Sequence, residues 1–331
     1  VTQVVDTEHP ILGFFHRWVE EFAKHCEHVH VICLQEGKHS LPANVTVHSL
    51  GKDEGKGKFT YLIRFYSLIW KLRHEYDNVF VHMNQVYVIL GDSIWHLFRK
   101  RVGLWYMHGT VPASLRVAEK FVHKIFTGSP ESFRLKSNKV LVTGHGIDTV
   151  QFAPQTGPKD IDLITVGRIT PSKNLIVLVD ILKKVRDTHD VSLTIVGAGV
   201  TEEEKQYEQK LRDYVQELGL VGAVHFVGRI PQTELPQYLN RAKIFVTVAQ
   251  NGSLDKAILE PMACGLPVVS MAPGSASLPI DVAQVSDQET FIQQVNDVLE
   301  SNVFKNEQYT EYVIQNHSIK SLIPKILQTY V

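Results

Sequence analysis

Short apolar runs alternate along this chain with stretches in which apolar residues recur every three or four positions. The runs at 1–5, 29–34, 79–82, 103–107, 124–127 and 140–142 predict strands. The stretches 11–25, 59–74, 92–101, 114–122 and 130–135 predict the helices between them. A Pro/Gly/polar break, FAPQTGPK at 152–159, reads as a linker. The alternation then restarts, with strands at 163–166, 192–196, 224–227, 244–248 and 268–271. Helical spacing covers 174–187, 202–218, 233–239 and 256–264. The tail from Asp287 carries two more helical patterns and ends in 318–330. This is the βα alternation of a parallel, doubly wound sheet, met twice. The expected fold class is α/β, with two similar Rossmann-like domains and a cleft between them. Ligands in such sheets bind at the carboxyl ends of the strands, and each motif below falls at such an end.

Composition narrows the function classes. The 331 residues are 44% hydrophobic and 21% charged, which excludes a disordered or repeat protein. A formal net charge of -1 argues against a general nucleic-acid binder. Residues 1–152 hold 18 Lys+Arg against 14 Asp+Glu. That surplus suits an anionic acceptor or a membrane surface as well as it suits ordinary scatter. Cys26, Cys33 and Cys264 make no disulfide framework, so a reducing cytoplasm is the expected location, with membrane association as a variant of it. No apolar run approaches the ~18 residues of a membrane-spanning helix. The chain opens at Val1 in what already reads as a strand, so a leader or the first strand residues are expected to precede it.

Two constellations carry chemistry. In the first, the strand at 163–166 runs into Gly167-Arg168-Ile169-Thr170-Pro171-Ser172-Lys173-Asn174, with a helix beginning near 172–174. Helix amino ends offer unpaired N–H groups and partial positive charge to phosphate. Arg168 can fork onto phosphate oxygens, and Lys173 adds a mobile point charge. Taken alone, such a sequence is also an ordinary surface turn with two solvated cations. The second is Asp255–Gly265, DKAILEPMACG. Asp255 is placed to cap the helix, behind a loop whose amides suit a sugar. Glu260 stands about one and a half turns in, among Ile258, Leu259, Met262, Ala263 and Cys264. A carboxylate in so apolar a helix is costly to bury without a partner. It suits a ribose diol; the bland alternative is an exposed helix carboxylate.

With these motifs in order, residues 162–270 resemble the donor-binding half of the retaining GT-B glycosyltransferases of family four, the glycosyl transferases group 1. The resemblance rests on the G-R-x3-K-N stretch after the strand, Ile195-Val196-Gly197-Ala198-Gly199, Phe226-Val227-Gly228-Arg229-Ile230-Pro231 and LEPMACGLPVV. It continues through Tyr106-Met107-His108-Gly109 and Gly144-His145-Gly146-Ile147-Asp148 and covers nearly the whole chain. It implies the GT-B fold: an acceptor domain at 1–152, a nucleotide-sugar donor domain at 153–315, and a C-terminal helix at 316–331 packing back on the first. It further implies a metal-independent hexosyl transfer that needs no cofactor beyond the donor as co-substrate. The partners implied are a UDP- or GDP-sugar and a sugar, glycan or lipid-linked acceptor, with no nucleic acid.

Residue by residue, the family's diphosphate-binding Arg and Lys match Arg168 and Lys173, and its ribose-binding Glu matches Glu260. Its cleft-facing His, which contacts the donor sugar, matches His108. Gly167, Gly197 and Gly199, Arg229 and Ile230, and the loop Ser253, Leu254, Asp255 and Lys256 fall where the family holds its donor. Gly13 matches the glycine loop after the first strand. His16, His82 and Asn84 are further candidates for the acceptor pocket. One position departs. The family's motif has a second glutamate eight places before Glu260, and Gly252 stands there. Asp255 is the candidate stand-in, and the change reads as a subgroup feature of a GS-x-DK loop. The same departure supports an alternative, a catalytically silent nucleotide-sugar-binding partner protein. A GT-B-fold sugar-nucleotide epimerase is a third reading.

Three signals are set aside. His25-Cys26-x-His28-x-His30-x2-Cys33 holds metal-capable residues, but no four-ligand closure is evident. Asp160-Ile161-Asp162 is a D-x-D at the amino end of its strand, away from any ligand cleft. The aromatic stretch 59–70, FTYLIRFYSLIW, lies near Lys52, Lys56, Lys58 and Arg64. It reads as a buried helix with a basic flank, with peripheral membrane contact through the N-terminal domain as the alternative.

Overall fold

Every ladder between named strands among the described residues of this computed structural model is parallel, as βα alternation demands. It describes residues 1–9, 11–250, 252, 254–278 and 283–330. The chain divides into two compact units, Val1–Asp148 with Asn316–Val331, and Thr149–Gln315.

The first unit begins β1 (Thr2–Val5), α1 (Phe15–Ala23), β2 (Val29–Glu36), β3 (Val45–Ser49) and α2 (Lys58–Lys71). It continues β4 (Asn78–His82), α3 (Gln85–Leu97), β5 (Arg101–Trp105), α4 (Ala113–Phe121), β6 (Lys124–Thr127) and β7 (Val140–Val142). The sets β1-β2-β3 and β4-β5-β6-β7 meet at β1 and β4, where His82 N donates to Val1 O at 2.8 Å. The strand order is therefore 3-2-1-4-5-6-7, reversing direction between β1 and β4.

The second unit holds β8 (Ile161–Val166), α5 (Leu175–Val185), β9 (Leu193–Val196), α6 (Glu202–Glu217) and β10 (Val224–Gly228). It continues α7 (Leu235–Arg241), β11 (Ala242–Thr247), α8 (Lys256–Ala263), β12 (Val268–Ser270), β13 (Ala283–Gln284) and α9 (Gln288–Ser301). Its sheet order is β10-β9-β8-β11-β12-β13, with the reversal between β8 and β11. Leu163, Leu193, Ile195, Ile244 and Val246 of this sheet pack on Leu178, Val179 and Leu182 of α5 and on Phe291 and Val295 of α9. Each such side chain contributes about 1.5–3 kcal/mol by leaving water.

After α10 (Glu307–His317) comes α11 (Ile319–Gln328), which belongs to the first unit. Its buried residues Ile319, Leu322, Ile323 and Ile326 recur at helical spacing and pack with Trp18, Trp105 and Phe126. Tyr330 donates its hydroxyl to Val79 O at 3.0 Å.

Four local expectations need correcting. The strand expected at 103–107 sits at Arg101–Trp105, because pairing with β4 sets its register. The helix expected at 130–135 is a single 3-10 turn, Pro130–Ser132, and Phe133 is already extended. Strand β3 was missed although Val45 and Val47 alternate with Thr46 and His48; its half-buried edge position gives a weak apolar signal. Helix α3 starts seven residues before the expected 92, capped by Asn84. Its Gly91 and β-branched residues obscured the first two turns. A fifth correction concerns the aromatic stretch. Helix α2 buries only Phe65 and Ile69, and leaves Phe59, Ile63 and Trp70 exposed.

Candidate functional site

The reversal between β8 and β11 brings two loops together in the second unit. One leaves the carboxyl end of β8 and carries Gly167, Arg168 and Lys173; the other leaves β11 and leads to Asp255 and α8. They are joined by Gln250 N donating to Ser172 O at 2.9 Å, and by Lys173 Nζ donating to Asp255 Oδ2 at 2.7 Å. Lys173 belongs to a 3-10 turn, Pro171–Lys173, and Asn174 in the left-handed region (φ 53°) separates it from α5. The Tyr207 hydroxyl lies near the first N–H groups of α5, those of Leu175 and Ile176. The cationic side chains of this loop are Arg168 and Lys173. Asp255, the candidate stand-in for the missing glutamate, accepts from Lys173 on one oxygen and from Ala257 N on the other, capping α8.

Glycines let the loops nest. Gly167 and Gly197 have φ of 143° and 137°, a region closed to most side chains. A Cβ on Gly197 would lie 1.9 Å from Gly167 O. One on Gly199 would lie 2.6 Å from the Glu204 backbone, so Gly199 lets the loop close on α6. Glu204 is a site residue that sequence reading missed. Its Oε2 accepts from Val200 N (2.8 Å) and Thr201 N (3.1 Å), and its Oε1 accepts from Arg168 at 3.1 Å. Burial opposes its charge, yet these N–H groups and Arg168 hold its carboxyl below the ordinary value. The Thr201-x-x-Glu204 capping box was legible; the reach to Arg168 was not.

Glu260 is buried, with 8% of its surface exposed. Burial pushes its carboxyl well above the ordinary range, Lys256 one turn earlier pulls it back, and Gln232 donates to Oε1 at 3.3 Å. Burial likewise lowers the Lys256 ammonium, against the pull of Glu260 and Asp255. Gln232 was also missed; it comes from the loop after β10, with no motif to announce it. On that loop Arg229 is exposed and Ile230 half-buried. Leu254 is buried, Gly252 is exposed, and Ser253 lies outside the described residues.

In the first unit His108 is exposed beyond β5. Its Nδ1 accepts from Thr110 N (3.3 Å) and lies 2.9 Å from Thr110 Oγ1. The accepted N–H bond selects the tautomer with hydrogen on Nε2, a donor suited to a sugar hydroxyl. Gly13 sits where a Cβ would come within 2.9 Å of both Thr7 O and His9 O, in the tight loop between β1 and α1. His82 is buried and stacked on Phe15 at 4.1 Å. His16 is buried too and accepts from Ser40 N, while Asn84 caps α3. These three residues serve the fold at those contacts.

The set-aside signals have partners of their own. His28 bonds Thr46, and His30 bonds His48. Asp160 takes two bonds from Arg241, and Asp162 pairs with Lys243 at 2.7 Å. A cavity of about 570 Å³ in the first unit, lined by His25, His28, His30 and Glu75 among apolar strand ends, contains none of the candidate residues.

Comparison with known proteins agrees with this geometry. The family model for glycosyl transferases group 1 matches residues 147–316, and one for a glycosyl transferase 4-like domain matches 11–104. The amylovoran biosynthesis glycosyltransferase AmsK of Erwinia amylovora is 28% identical over 167 residues, 47% of this chain and 38% of that protein. A glycogen synthase of Mycobacterium tuberculosis is 30% identical over 138 residues, 40% of this chain and 31% of that protein. These matches span about a third of the length of each relative. Among solved structures, Anabaena Alr3699/HepE in complex with UDP superposes with a TM-score of 0.76 at 18% identity, covering 99% of this chain and 98% of that one. Sucrose-phosphate synthase from Thermosynechococcus elongatus gives 0.76 at 15% identity, covering 99% and 97%. The chain has the GT-B fold.

Proposed function

The chain belongs to the glycosyl transferases group 1 family, and from that premise we propose that it moves a sugar from a nucleotide-diphosphate sugar to a hydroxyl acceptor with retention at the anomeric carbon. The observation that carries the reading is the joining of Lys173 to Asp255 across the loops that follow β8 and β11, with Arg168 on the first loop and buried Glu260 on the helix after the second, at the carboxyl ends where open α/β sheets bind ligands. The donor's diphosphate takes Lys173 from Asp255 and draws Arg168 from Glu204. Glu260 as a carboxylate accepts from the ribose diol. The Nε2–H of His108 orients the sugar.

The acceptor oxygen bonds to the anomeric carbon on the face the diphosphate leaves. The bond to the departing phosphate oxygen breaks, and that oxygen takes the acceptor proton. The charge developing on the leaving group is met by Arg168 and Lys173, so the reaction as proposed uses no metal ion and no separate base. A uridine donor is the first choice, because Alr3699/HepE is described with UDP and UDP-glucose.

The test is a panel of UDP- and GDP-sugars and acceptors, assayed with chelator present. We expect nucleotide release coupled to transfer, and a loss of at least ~100-fold in turnover for Arg168→Ala. Unchanged turnover in that variant would sink the assignment. Gly252, at the place of the family's first glutamate, favours a second reading, a nucleotide-sugar-binding protein without turnover. Nucleotide binding with no turnover across the panel would select it.

A further inference from the structure

The outer face of α2 does not behave as a solvated surface. Phe59, Ile63 and Trp70 are 75%, 54% and 49% exposed, and their spacing of four and seven residues places them on one stripe of the helix. The stripe continues onto the end of α3. The Phe98 ring meets the Trp70 ring edge-on at 5.7 Å, and its neighbour Leu97 is 66% exposed. The Arg73 guanidinium lies 4.6 Å over the Trp70 ring and 5.6 Å from Phe98, and donates to Trp70 O at 2.7 Å. Contiguous exposed apolar surface of this kind marks a binding face.

The charge around the stripe selects the partner. Among the described residues Lys52, Lys56, Lys58 and Lys71 make no ion pair, whereas neighbouring Glu54 is taken by Arg64. Large apolar side chains, an exposed aromatic ring and unpaired cations beside them match the boundary of an anionic bilayer. We propose that α2 and the end of α3 dock on an anionic lipid surface, with Phe59, Ile63, Trp70 and Leu97 entering the acyl boundary and the lysines facing headgroups. Helix α2 follows β3, so Phe59 at its start lies toward the carboxyl edge of that sheet. The docking does not rest on the transferase reading.

The experiment is sedimentation with vesicles of phosphatidylcholine alone and of phosphatidylcholine with phosphatidylglycerol at about 2:1. The intact chain should pellet with the anionic vesicles at least ~10-fold better than with the neutral ones, and less so as salt rises. Phe59→Ser/Ile63→Ser/Trp70→Ser should lose at least ~10-fold of that binding with unchanged Tm, since the three side chains are exposed. Lys58→Glu/Lys71→Glu should lose the preference for anionic lipid. Three outcomes would overturn the proposal: a parent chain that stays in the supernatant with both vesicles, a triple variant that pellets like the parent, or a dimer that the triple variant dissolves while vesicles bind neither. None of these readings depends on sugar transfer, so failure here leaves the donor site untouched.

Discussion

At Glu260 the fold and the proposed function make opposite demands on a single side chain. Its apolar helix surroundings were plain in the sequence, and a buried carboxylate was the expected cost. The structure adds the compensation, Lys256 one turn earlier and Gln232 from another loop. Burial raises the folded pKa of Glu260 to about 7, so the fold favours its protonated form. The stability this contributes is present below the ordinary carboxylate value and is lost as pH rises through about 7. Binding as proposed has the opposite demand, because the ribose diol would donate to the carboxylate. UDP binding should therefore release a proton, and its Kd should fall several-fold from pH 6 to pH 8. Calorimetry in buffers of different ionisation enthalpy would measure it, with the dependence flattened in Glu260→Gln. A Kd equally flat in the parent would rule out Glu260 as the titrating ligand. Arg168 and His108 were legible as residue types at strand ends. Glu204 and Thr110, which hold them, were not, because hydrogen-bond partners are set by chain direction and loop shape.

At the scale of elements, the loops after β8 and β9 form one body only because two glycines remove the side chains between them. The sequence marked Gly167 and Gly197 as motif glycines, and the geometry supplies the reason, a gap of 1.9 Å between a Cβ at 197 and the Gly167 carbonyl. Gly197→Ala should cost about 3 kcal/mol or more through clash and strained φ, and should abolish nucleotide binding with it. Gly222→Ala, with no atom within 4 Å of the new Cβ, is the matched control and should leave Tm unchanged. Thermal melts with and without UDP would decide, and an undisturbed Gly197→Ala would mean that the loops do not nest. Strand and helix order was read well from periodicity, since burial on one or two faces repeats in the sequence. Boundaries at β5, α3 and the turn at 130 were not, because register, capping and the extended backbone at Phe133 overrule propensity there.

At the scale of the whole molecule, the C-terminal segment completes the first unit. Gly144 would place a Cβ 2.0 Å from Asn316 O, and Ile147 N donates to His317 O at 2.7 Å. The imidazoles of His145 and His317 meet in the interior, Nδ1 to Nδ1 at 3.2 Å. Burial, helped by Lys325, pushes His317 down to about 4. A histidine whose folded pKa is depressed contributes stability above its unfolded value near 6.5, and that contribution is lost as pH falls toward 4. Loss of at most roughly 3 kcal/mol is expected over that window. The fall in Tm between pH 6.5 and 4.5 should be shallower in His317→Gln, and equal slopes would show that His317 does not carry it.

The sequence by itself determined the two runs of βα alternation, the places where the candidate cations and carboxylates concentrate, and the family they belong to. Those properties are local or periodic, written in spacing and side-chain type. Only the tertiary structure decided that Lys173 rests on Asp255, that Arg168 rests on Glu204, and that the aromatic stripe of α2 faces outward. The physical reason is that each of these depends on which surface a neighbouring element covers, and covering is a property of packing between segments far apart in the chain.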